Sequence, residues 1–342
     1  MEKARKTAIK IISFSTLTLV ALAVMDAYLF IPVVSSYQTF YEEKDHSLDM
    51  VLIGNSTLRE GYIPILSYHE YGIANYSISA SPTHLEVIKI AMEEVAIHQS
   101  PKMVFVDLSG LTFQSHDNQQ MYVKEFVSAM PESERKEELY HTYPYLRRDE
   151  KDFLFPYHNT FRQQIYWEAL VYKKAFHTKG YFPNDIVANV TPASVDYTST
   201  LPLTEDANLY LDEILEVASR HPNIDFVFGR MARVYTHDTE KDAFTLRSCK
   251  AKIEEKGFTY VDFSEDWENI GLDPSRDQKD VNHLNHRGAV KFTRYLGQYF
   301  CSRYGVDAEH PLTHDEDVKE SFDRSYEEYC ETVKDIEKKL GM

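Results

Sequence analysis

Four short runs of apolar residues are spaced along the chain and predict buried strands. They cover residues 49–54, 103–108, 224–228 and 258–263. Runs of about four to eight apolar residues are typical of strands that a parallel sheet buries on both faces. The hydrophobic pattern therefore indicates a sheet at the centre of the fold.

Longer segments between and after these runs repeat their apolar residues at helical spacing. They predict helices over residues 84–97, 207–220, 244–256 and 286–304. Strands that alternate with helices are typical of βαβ units, in which helices cover both faces of the sheet. We therefore predict that residues 49–304 form an α/β domain, a three-layer sandwich around a mostly parallel central sheet.

Two segments depart from this rhythm. Residues 114–202 are rich in tyrosine, phenylalanine, histidine and charged residues, and their helical patterns are poor. We interpret them as an insertion at the carboxyl edge of the sheet, where α/β proteins form their binding crevices. In the tail, residues 305–342, apolar side chains recur at steps of four and three from Val318 to Leu340 and predict an amphipathic helix. That helix either docks on the domain or binds a partner.

The N-terminus predicts a membrane anchor. Basic residues within the first ten positions precede an apolar run over residues 11–34. About 20 apolar residues span a bilayer as a helix, and a basic flank stays on the cytoplasmic side. Residues 1–34 therefore predict a cytoplasmic tip and a single-pass transmembrane helix in the cell membrane, followed by a polar juncture over residues 35–48 and an extracytoplasmic domain. A cleaved signal peptide is the alternative, because Ala21-Leu22-Ala23 resembles a cleavage site.

Charge and composition narrow the classes of function. The net charge of −17 disfavours nucleic acid as a partner, since phosphate backbones bind clustered lysine and arginine. The three cysteines form no C-x-x-C pair, and the histidines show no H-E-x-x-H spacing. The sequence also lacks a glycine-rich phosphate loop. We therefore predict neither a metal nor a cofactor.

Ser56 occupies a position where a serine can act as a nucleophile. It ends the sequence Gly54-Asn55-Ser56, which directly follows the first predicted strand. A serine at a strand-to-helix turn projects its hydroxyl from the sheet edge, where the N-terminus of the next helix stabilises negative charge. Serine is also a common helix N-cap, so the tripeptide alone leaves a purely structural role open.

Asp280 and His283 form a D-x-x-H pair before the last predicted helix of the domain. Such an aspartate can place its carboxylate against Nδ1 of the ring, which leaves Nε2 to accept the proton of a serine. A capped, solvated turn is the alternative for the pair taken alone. Because the pair follows the last strand and Ser56 follows the first, we predict that the three side chains meet at one edge of the sheet as a Ser-His-Asp triad.

Together these motifs resemble the SGNH/GDSL hydrolase superfamily. Its members carry the nucleophile in a G-D-S block near the start of the domain and a D-x-x-H block near its end. Gly54-Asn55-Ser56 matches the first block with asparagine in place of aspartate, and Asp280 and His283 match the last. The resemblance spans about residues 49–304 with the insertion unmatched, and it implies an SGNH-hydrolase-like, flavodoxin-like fold.

The resemblance also implies an oxyanion hole, in which Ala80 stands where the family has a glycine and the third block departs further. Residues 75–80 look like the second block, and the backbone N–H groups of Ser56 and Ala80 would hold the negative charge that develops during acyl transfer. The third block usually supplies an asparagine, but Leu111 occupies that position and cannot donate. Loss of one such donor costs about a hundredfold or more in turnover. Either another group replaces it, for which Asn55 is a candidate, or the reaction differs from ordinary ester hydrolysis.

The layout of the chain resembles a narrower group. A basic N-terminus, one predicted span and then the G-x-S block are similar to membrane-anchored D-alanyl transfer proteins of teichoic acid assembly and to polysaccharide O-acetylation proteins. Those proteins work beside a polytopic membrane-bound O-acyltransferase. The resemblance implies an extracytoplasmic serine acyltransferase or esterase that acts on acyl groups of a cell-surface glycopolymer. The alternative is a non-catalytic accessory protein of the same shape that binds the glycopolymer or the O-acyltransferase.

Two further residues are candidate substrate contacts. His158 lies in the insertion, and Arg59 follows Ser56 by one helical turn. A structural histidine and a solvent-facing arginine are the respective alternatives.

Overall fold

Five parallel strands form the centre of the domain in the computed structural model, which describes residues 2–29, 36–79, 85–112, 119–146 and 178–342. The strands are β1 (Met50–Gly54), β2 (Asn75–Ser79), β3 (Met103–Asp107), β4 (Asp225–Arg230) and β5 (Thr259–Asp262). They pair in the order β2-β1-β3-β4-β5, and every neighbouring pair is parallel. In flavodoxin-like sheets of this order, ligands bind outside the carboxyl ends of β1 and β3. The predicted α/β class with a parallel central sheet is confirmed.

The strand β2 is one that the hydrophobic pattern did not predict. Its polar residues Asn75, Ser77 and Ser79 interrupt any apolar run, yet all are buried. Asn75 Nδ2 donates to the carbonyl oxygen of Pro64 at 3.1 Å, and the backbone N–H of Ser77 donates to the carbonyl oxygen of Lys179 at 3.0 Å. These donors of β2 find partners from other segments, which sequence periodicity does not reveal. Among the described residues, the buried hydroxyls of Ser77 and Ser79 have no hydrogen-bond partner.

Much of the remaining described chain is helical. In order, the helices are α1 (Glu2–Leu29), α2 (Ser36–Phe40), α3 (Ser56–Gly61), α4 (Pro64–Tyr71), α5 (Leu85–His98), α6 (Gln119–Ala129), α7 (Glu134–Thr142), α8 (Glu205–Arg220), α9 (Glu240–Arg247), α10 (Lys250–Glu255), α11 (His286–Tyr304) and α12 (Glu316–Leu340). The helices α5, α8 and α11 lie close to their predicted bounds.

The single helix predicted over residues 244–256 is instead two helices, α9 and α10. The chain turns between them at Ser248 and Cys249. Ser248 Oγ donates to the carbonyl oxygen of Thr245 at 2.7 Å. A serine side chain that bonds a nearby carbonyl competes with the regular helical hydrogen bonds and favours a turn.

The strands bury alternate residues against helices on both faces of the sheet. In β1, Val51 and Ile53 belong to a core shared with α5 and α8, whereas Met50 and Leu52 belong to a second core shared with α3 and α11. All four side chains are fully buried. Helices on both faces explain why β1 is a continuous apolar run, and the arrangement is consistent with a three-layer sandwich.

The predicted insertion over residues 114–202 contains two helices that its pattern does not indicate. Of these, α6 packs against α2 and α5, and α7 buries only Lys136 and Leu139. Because α7 buries so few side chains, its sequence carries no apolar stripe, and this part of the insertion is helical although its helical pattern is poor. Residues 147–177, which include His158, lie outside the described part of the chain.

The end of this insertion runs along the carboxyl side of the sheet. The backbone N–H of Phe182 donates to the carbonyl oxygen of Arg59 at 2.8 Å. The backbone N–H of Ala188 donates to the carbonyl oxygen of Gln278, also at 2.8 Å. We call residues 178–190 the return segment. Its backbone hydrogen bonds link α3 to the loop that precedes α11.

The predicted membrane anchor over residues 1–34 receives no support from the structure. Among the described residues, no helix combines the length and the apolar character that crossing a membrane requires. Residue 1 and residues 30–35 lie outside the described part.

The tail forms one long helix, α12, whose apolar stripe is buried against the domain. Asp315 caps its N-terminus, with the side chain accepting from the backbone N–H of Val318 at 3.2 Å. The helix contacts α4 and α11. Phe322 is 1% exposed, and its ring stacks on Tyr68 with the centroids 4.2 Å apart. Docking on the domain therefore accounts for the stripe.

Replacing Phe322 by alanine should lower the free energy of unfolding by about 3–5 kcal/mol, because it leaves a cavity between α12 and α4. Urea unfolding of the full chain measures this loss. The exposed neighbour Glu320, replaced by alanine, is the control and should change stability by no more than about 0.5 kcal/mol. Equal effects of the two substitutions would contradict tight docking of α12.

Candidate active site

Ser56 is the first residue of α3 and directly follows the carboxyl end of β1. The N-cap of α3 is Asn55, whose Oδ1 accepts from the backbone N–H of Thr57 at 2.9 Å. The structural alternative for Ser56, a helix N-cap, therefore does not apply, since Asn55 takes that role. Gly54 permits the close approach to β3, because a Cβ added there would lie 2.9 Å from Cβ of Asp107.

The structure brings together the three residues that the sequence motifs single out. Ser56 Oγ lies 2.8 Å from His283 Nε2. On the other side of the ring, His283 Nδ1 lies 2.9 Å from both carboxylate oxygens of Asp280. This is the geometry in which a carboxylate orients an imidazole so that Nε2 can take the proton of a hydroxyl.

Asp280 is held in its ionised form by the turn that it begins. Its Oδ1 accepts from the backbone N–H groups of Asn282 at 2.7 Å and His283 at 3.0 Å. Partial burial by itself would raise the pKa of Asp280, but these hydrogen bonds and the imidazole outweigh it, so the pKa lies below the usual value. The carboxylate is therefore charged at neutral pH, as the orientation of His283 requires.

The turn that contains Asp280 and His283 is closed by a backbone hydrogen bond, and Gln278 links it by hydrogen bonds to the loop after β4. The backbone N–H of Lys279 donates to the carbonyl oxygen of His283 at 2.8 Å. Gln278 is fully buried. In the amide orientation that satisfies both ends, its Nε2 donates to the carbonyl oxygens of His283 (3.2 Å) and Asp280 (3.1 Å), and its Oε1 accepts from the N–H of Val234 (2.9 Å). Gln278 was not identified from the sequence, because nothing in its local pattern marks this role.

Arg233 also contacts this loop. It is 3% exposed, and its Nη1 donates to Asn282 Oδ1 at 3.0 Å. Burial lowers the pKa of Arg233 to about 10, with a further contribution from Arg230. The guanidinium therefore remains charged at neutral pH beside the residue that precedes His283.

A buried network supports the segment around Ser56. Thr57 Oγ1 lies 2.7 Å from Asn55 Oδ1 and 3.1 Å from Asp107 Oδ2. Asp107 Oδ1 accepts from the N–H and the hydroxyl of Ser109, at 3.0 Å and 2.6 Å. One hydroxyl hydrogen cannot serve both acceptors of Thr57. The hydrogen bonds are all satisfied when Asp107 carries a proton, and burial raises the pKa of Asp107 in that direction.

The oxyanion donors implied by the family resemblance are only partly described. Ala80 lies outside the described residues, which resume at residue 85. Leu111 is 5% exposed and packs in the apolar core beside the sheet, so it supplies no donor. Asn55 uses its Oδ1 as the helix cap, and its Nδ2 donates to no atom in the described part of the chain. With Leu111 excluded, Asn55 remains as the described side chain proposed as an oxyanion donor, and it lies next to Ser56.

Arg59 lies one turn beyond Ser56 and packs against the return segment. Its guanidinium carbon is 5.4 Å from the centroid of the Phe182 ring, and its Nη2 is 3.8 Å from Glu60 Oε1. Its side chain is 20% exposed. A role as a substrate contact stays a prediction, as it does for His158, which the structure does not describe.

A groove of about 300 Å³ lies elsewhere, on the helical layer formed by α5, α7 and α8. Its charged residues pair with one another: Arg135 and Arg220 both bind Glu93, and Lys89 binds Glu213. The groove does not reach the carboxyl edge of the sheet. Within the described residues, no group of His, Cys, Asp and Glu is arranged to hold a metal ion.

Comparison with known proteins yields no match to a family model, to a curated protein or to a solved structure.

The two acceptors beside the Thr57 hydroxyl lead to a test by substitution at Asp107. An asparagine at this position can donate to Thr57 and accept from Ser109, as the neutral acid does. Asp107→Asn should therefore be more stable than Asp107→Ala by about 1–3 kcal/mol, because alanine leaves buried hydroxyls unpaired. Thermal and urea unfolding of both variants measure the difference. Equal destabilisation of the two would indicate that the site needs an ionised carboxylate.

Proposed function

We propose that this protein is a serine acyltransferase or esterase of the SGNH/GDSL type, in which Ser56 is the nucleophile. The observation that carries this proposal is the continuous chain of contacts from Ser56 Oγ through His283 to Asp280, at 2.8 Å and 2.9 Å. The location of these contacts also supports the proposal, because they lie at the carboxyl ends of β1 and β3, where folds of this strand order bind ligands.

In the first half of the reaction, Ser56 Oγ attacks the carbonyl carbon of the acyl donor. A C–O bond forms, the hydroxyl proton moves to His283 Nε2, and the electron pair of the carbonyl moves to its oxygen. When the tetrahedral intermediate collapses, the bond to the leaving oxygen breaks, and that oxygen takes the proton from His283. Asp280 orients the ring and stabilises the imidazolium between these steps.

The second half transfers the acyl group from Ser56 to an acceptor hydroxyl. His283 Nε2 removes the acceptor's proton as its oxygen attacks the acyl carbon, and the same proton returns to Ser56 Oγ when the acyl-enzyme bond breaks. Water as acceptor gives hydrolysis, and a sugar hydroxyl gives transfer. The choice depends on what the crevice admits.

The negative charge on the carbonyl oxygen needs hydrogen-bond donors. We assign this role to the backbone N–H groups of Ser56 and Ala80 and to Nδ2 of Asn55. The cap bonds of Asn55 Oδ1 to Thr57 hold the amide in place at 2.9 Å and 2.7 Å. A donor fixed in advance costs no reorganisation during the reaction. In this proposal Asn55 replaces the asparagine that Leu111 displaces.

We further propose that the substrate is an acyl ester of a cell-surface glycopolymer. The support is the order of the N-terminal basic and apolar segments followed by the G-x-S block, which resembles membrane-anchored acyl transfer proteins. The same resemblance assigns a single-pass anchor, an extracytoplasmic domain and a polytopic membrane-bound O-acyltransferase as partner. The net charge of −17 disfavours nucleic acid.

The second candidate function is a non-catalytic accessory role, in which the domain binds the glycopolymer or the O-acyltransferase. The observation that favours it is Leu111, which is buried where the family has a hydrogen-bond donor. In this case the triad would persist without turnover.

Covalent labelling with a fluorophosphonate probe tests the nucleophile. We expect the full chain to be labelled at Ser56 and the Ser56→Ala variant to remain unlabelled, since a phosphonate reacts only with an activated hydroxyl. Ser275→Ala is the matched control, because Ser275 is exposed and bonds only Asp273 within the described chain. It should label like the unmodified protein.

The same Ser56→Ala variant separates the two candidate functions. An enzyme should lose acyl transfer to the polymer, or esterase activity, by several orders of magnitude. Unchanged polymer modification, together with continued co-purification of a polytopic acyltransferase, would support the accessory role instead.

A further inference from the structure

The nucleophile helix and the D-x-x-H turn are joined at a second point besides the triad. Glu60 on α3 is 3% exposed, and both of its carboxylate oxygens accept from Lys279 Nζ, at 2.9 Å and 2.7 Å. Lys279 directly precedes Asp280. An ion pair with a buried carboxylate is less screened by solvent than an exposed ion pair, and the contact of Nζ with both oxygens fixes the distance between the two side chains.

The two contacts are spaced alike on both elements. Ser56 and Glu60 are four residues apart on α3, so their side chains lie on one face of the helix, one turn apart. Lys279 and His283 are also four residues apart, and the hydrogen bond between their backbones closes the turn between them at 2.8 Å. Two rigid elements are therefore attached at two points. The contact of Ser56 with His283 fixes the distance between α3 and the D-x-x-H turn. The contact of Glu60 with Lys279 fixes the rotation of the turn relative to α3.

The return segment reinforces this junction from outside. Asn184 Nδ2 donates to Glu60 Oε2 at 3.2 Å and to the carbonyl oxygen of Leu284 at 3.3 Å. The backbone N–H of His286 donates to the carbonyl oxygen of Asn184 at 3.1 Å. Glu60 thus lies where α3, the catalytic turn and the return segment meet.

We propose that Glu60 and Lys279 are positioning residues, which hold His283 in line with Ser56 by fixing the D-x-x-H turn against α3. This inference rests on the proposed function. It assigns no contact with substrate to either residue. Displacement of a catalytic group by about 1 Å costs on the order of a hundredfold in rate, so a loose turn should affect the chemical step far more than substrate binding.

A double-mutant cycle tests the proposal in the full chain. Glu60→Gln and Lys279→Met should each reduce the rate of fluorophosphonate labelling and kcat for acyl transfer by about 10- to 100-fold, with KM changed by less than about threefold. The double variant should resemble the single ones, because the second change removes a contact that is already lost. Lys279→Arg should recover part of the rate, since a guanidinium keeps the positive charge beside Glu60 although its donors are arranged differently.

Two variants distinguish a loss of positioning from a general loss of stability. The double variant buries no unpaired charge and should therefore fold even if a single one does not. Arg294→Met is the control, because Arg294 forms a more exposed ion pair with Glu70, at 3.0 Å and 2.7 Å, between α11 and α4 and away from the triad. It should label at the unmodified rate.

The outcomes distinguish this inference from the proposed function. Labelling of the double variant at the rate of the unmodified chain would overturn the positioning role while leaving Ser56 as nucleophile. The positioning role would also be overturned if the labelling rate of the variants fell only in proportion to their melting temperature and Lys279→Arg restored none of it. Failure of the unmodified chain to label at Ser56 would instead refute the proposed function itself.

Discussion

The contact between Ser56 Oγ and His283 Nε2, at 2.8 Å, is the interaction on which the arrangement of this site depends. It joins the first strand-to-helix turn of the sheet to the last loop before α11. Such a contact requires both loops to emerge at the same edge, which a fully parallel sheet guarantees. The strand order then places the contact beside β3, at the point where the direction of strand addition reverses.

Most of the polar residues around the site serve this contact by restricting the two loops. Asn55 caps α3 and so leaves the Ser56 hydroxyl for His283. Gln278 fixes the backbone of the turn that contains Asp280 and His283. The ion pair of Glu60 with Lys279 ties that turn to α3. Each of these groups is at least partly buried, and their hydrogen bonds offset the cost of removing them from water.

The sequence alone predicts those elements around the site that depend on short-range patterns. The apolar run of β3 and the periodic helix α11, which begins at Asn285 as N-cap, are predictable because short-range pattern determines them. The proximity of Ser56, His283 and Asp280 was predictable because their motifs occupy the first and last loops of one sheet. In contrast, β2 is hidden by its polar residues, and Glu60 looks like any charged helical residue. Their partners are distant in sequence, so only the folded chain shows why they are buried.

The formation of an acyl-enzyme most directly tests whether Ser56 acts as a nucleophile. Rapid mixing of the full chain with p-nitrophenyl acetate should give a burst of p-nitrophenol, followed by slower turnover, and peptide mapping should find the acetyl group on Ser56. Acetylation at another residue, or ester cleavage that leaves Ser56 unmodified at every time point, would contradict the claim that Ser56, His283 and Asp280 act together as a catalytic unit.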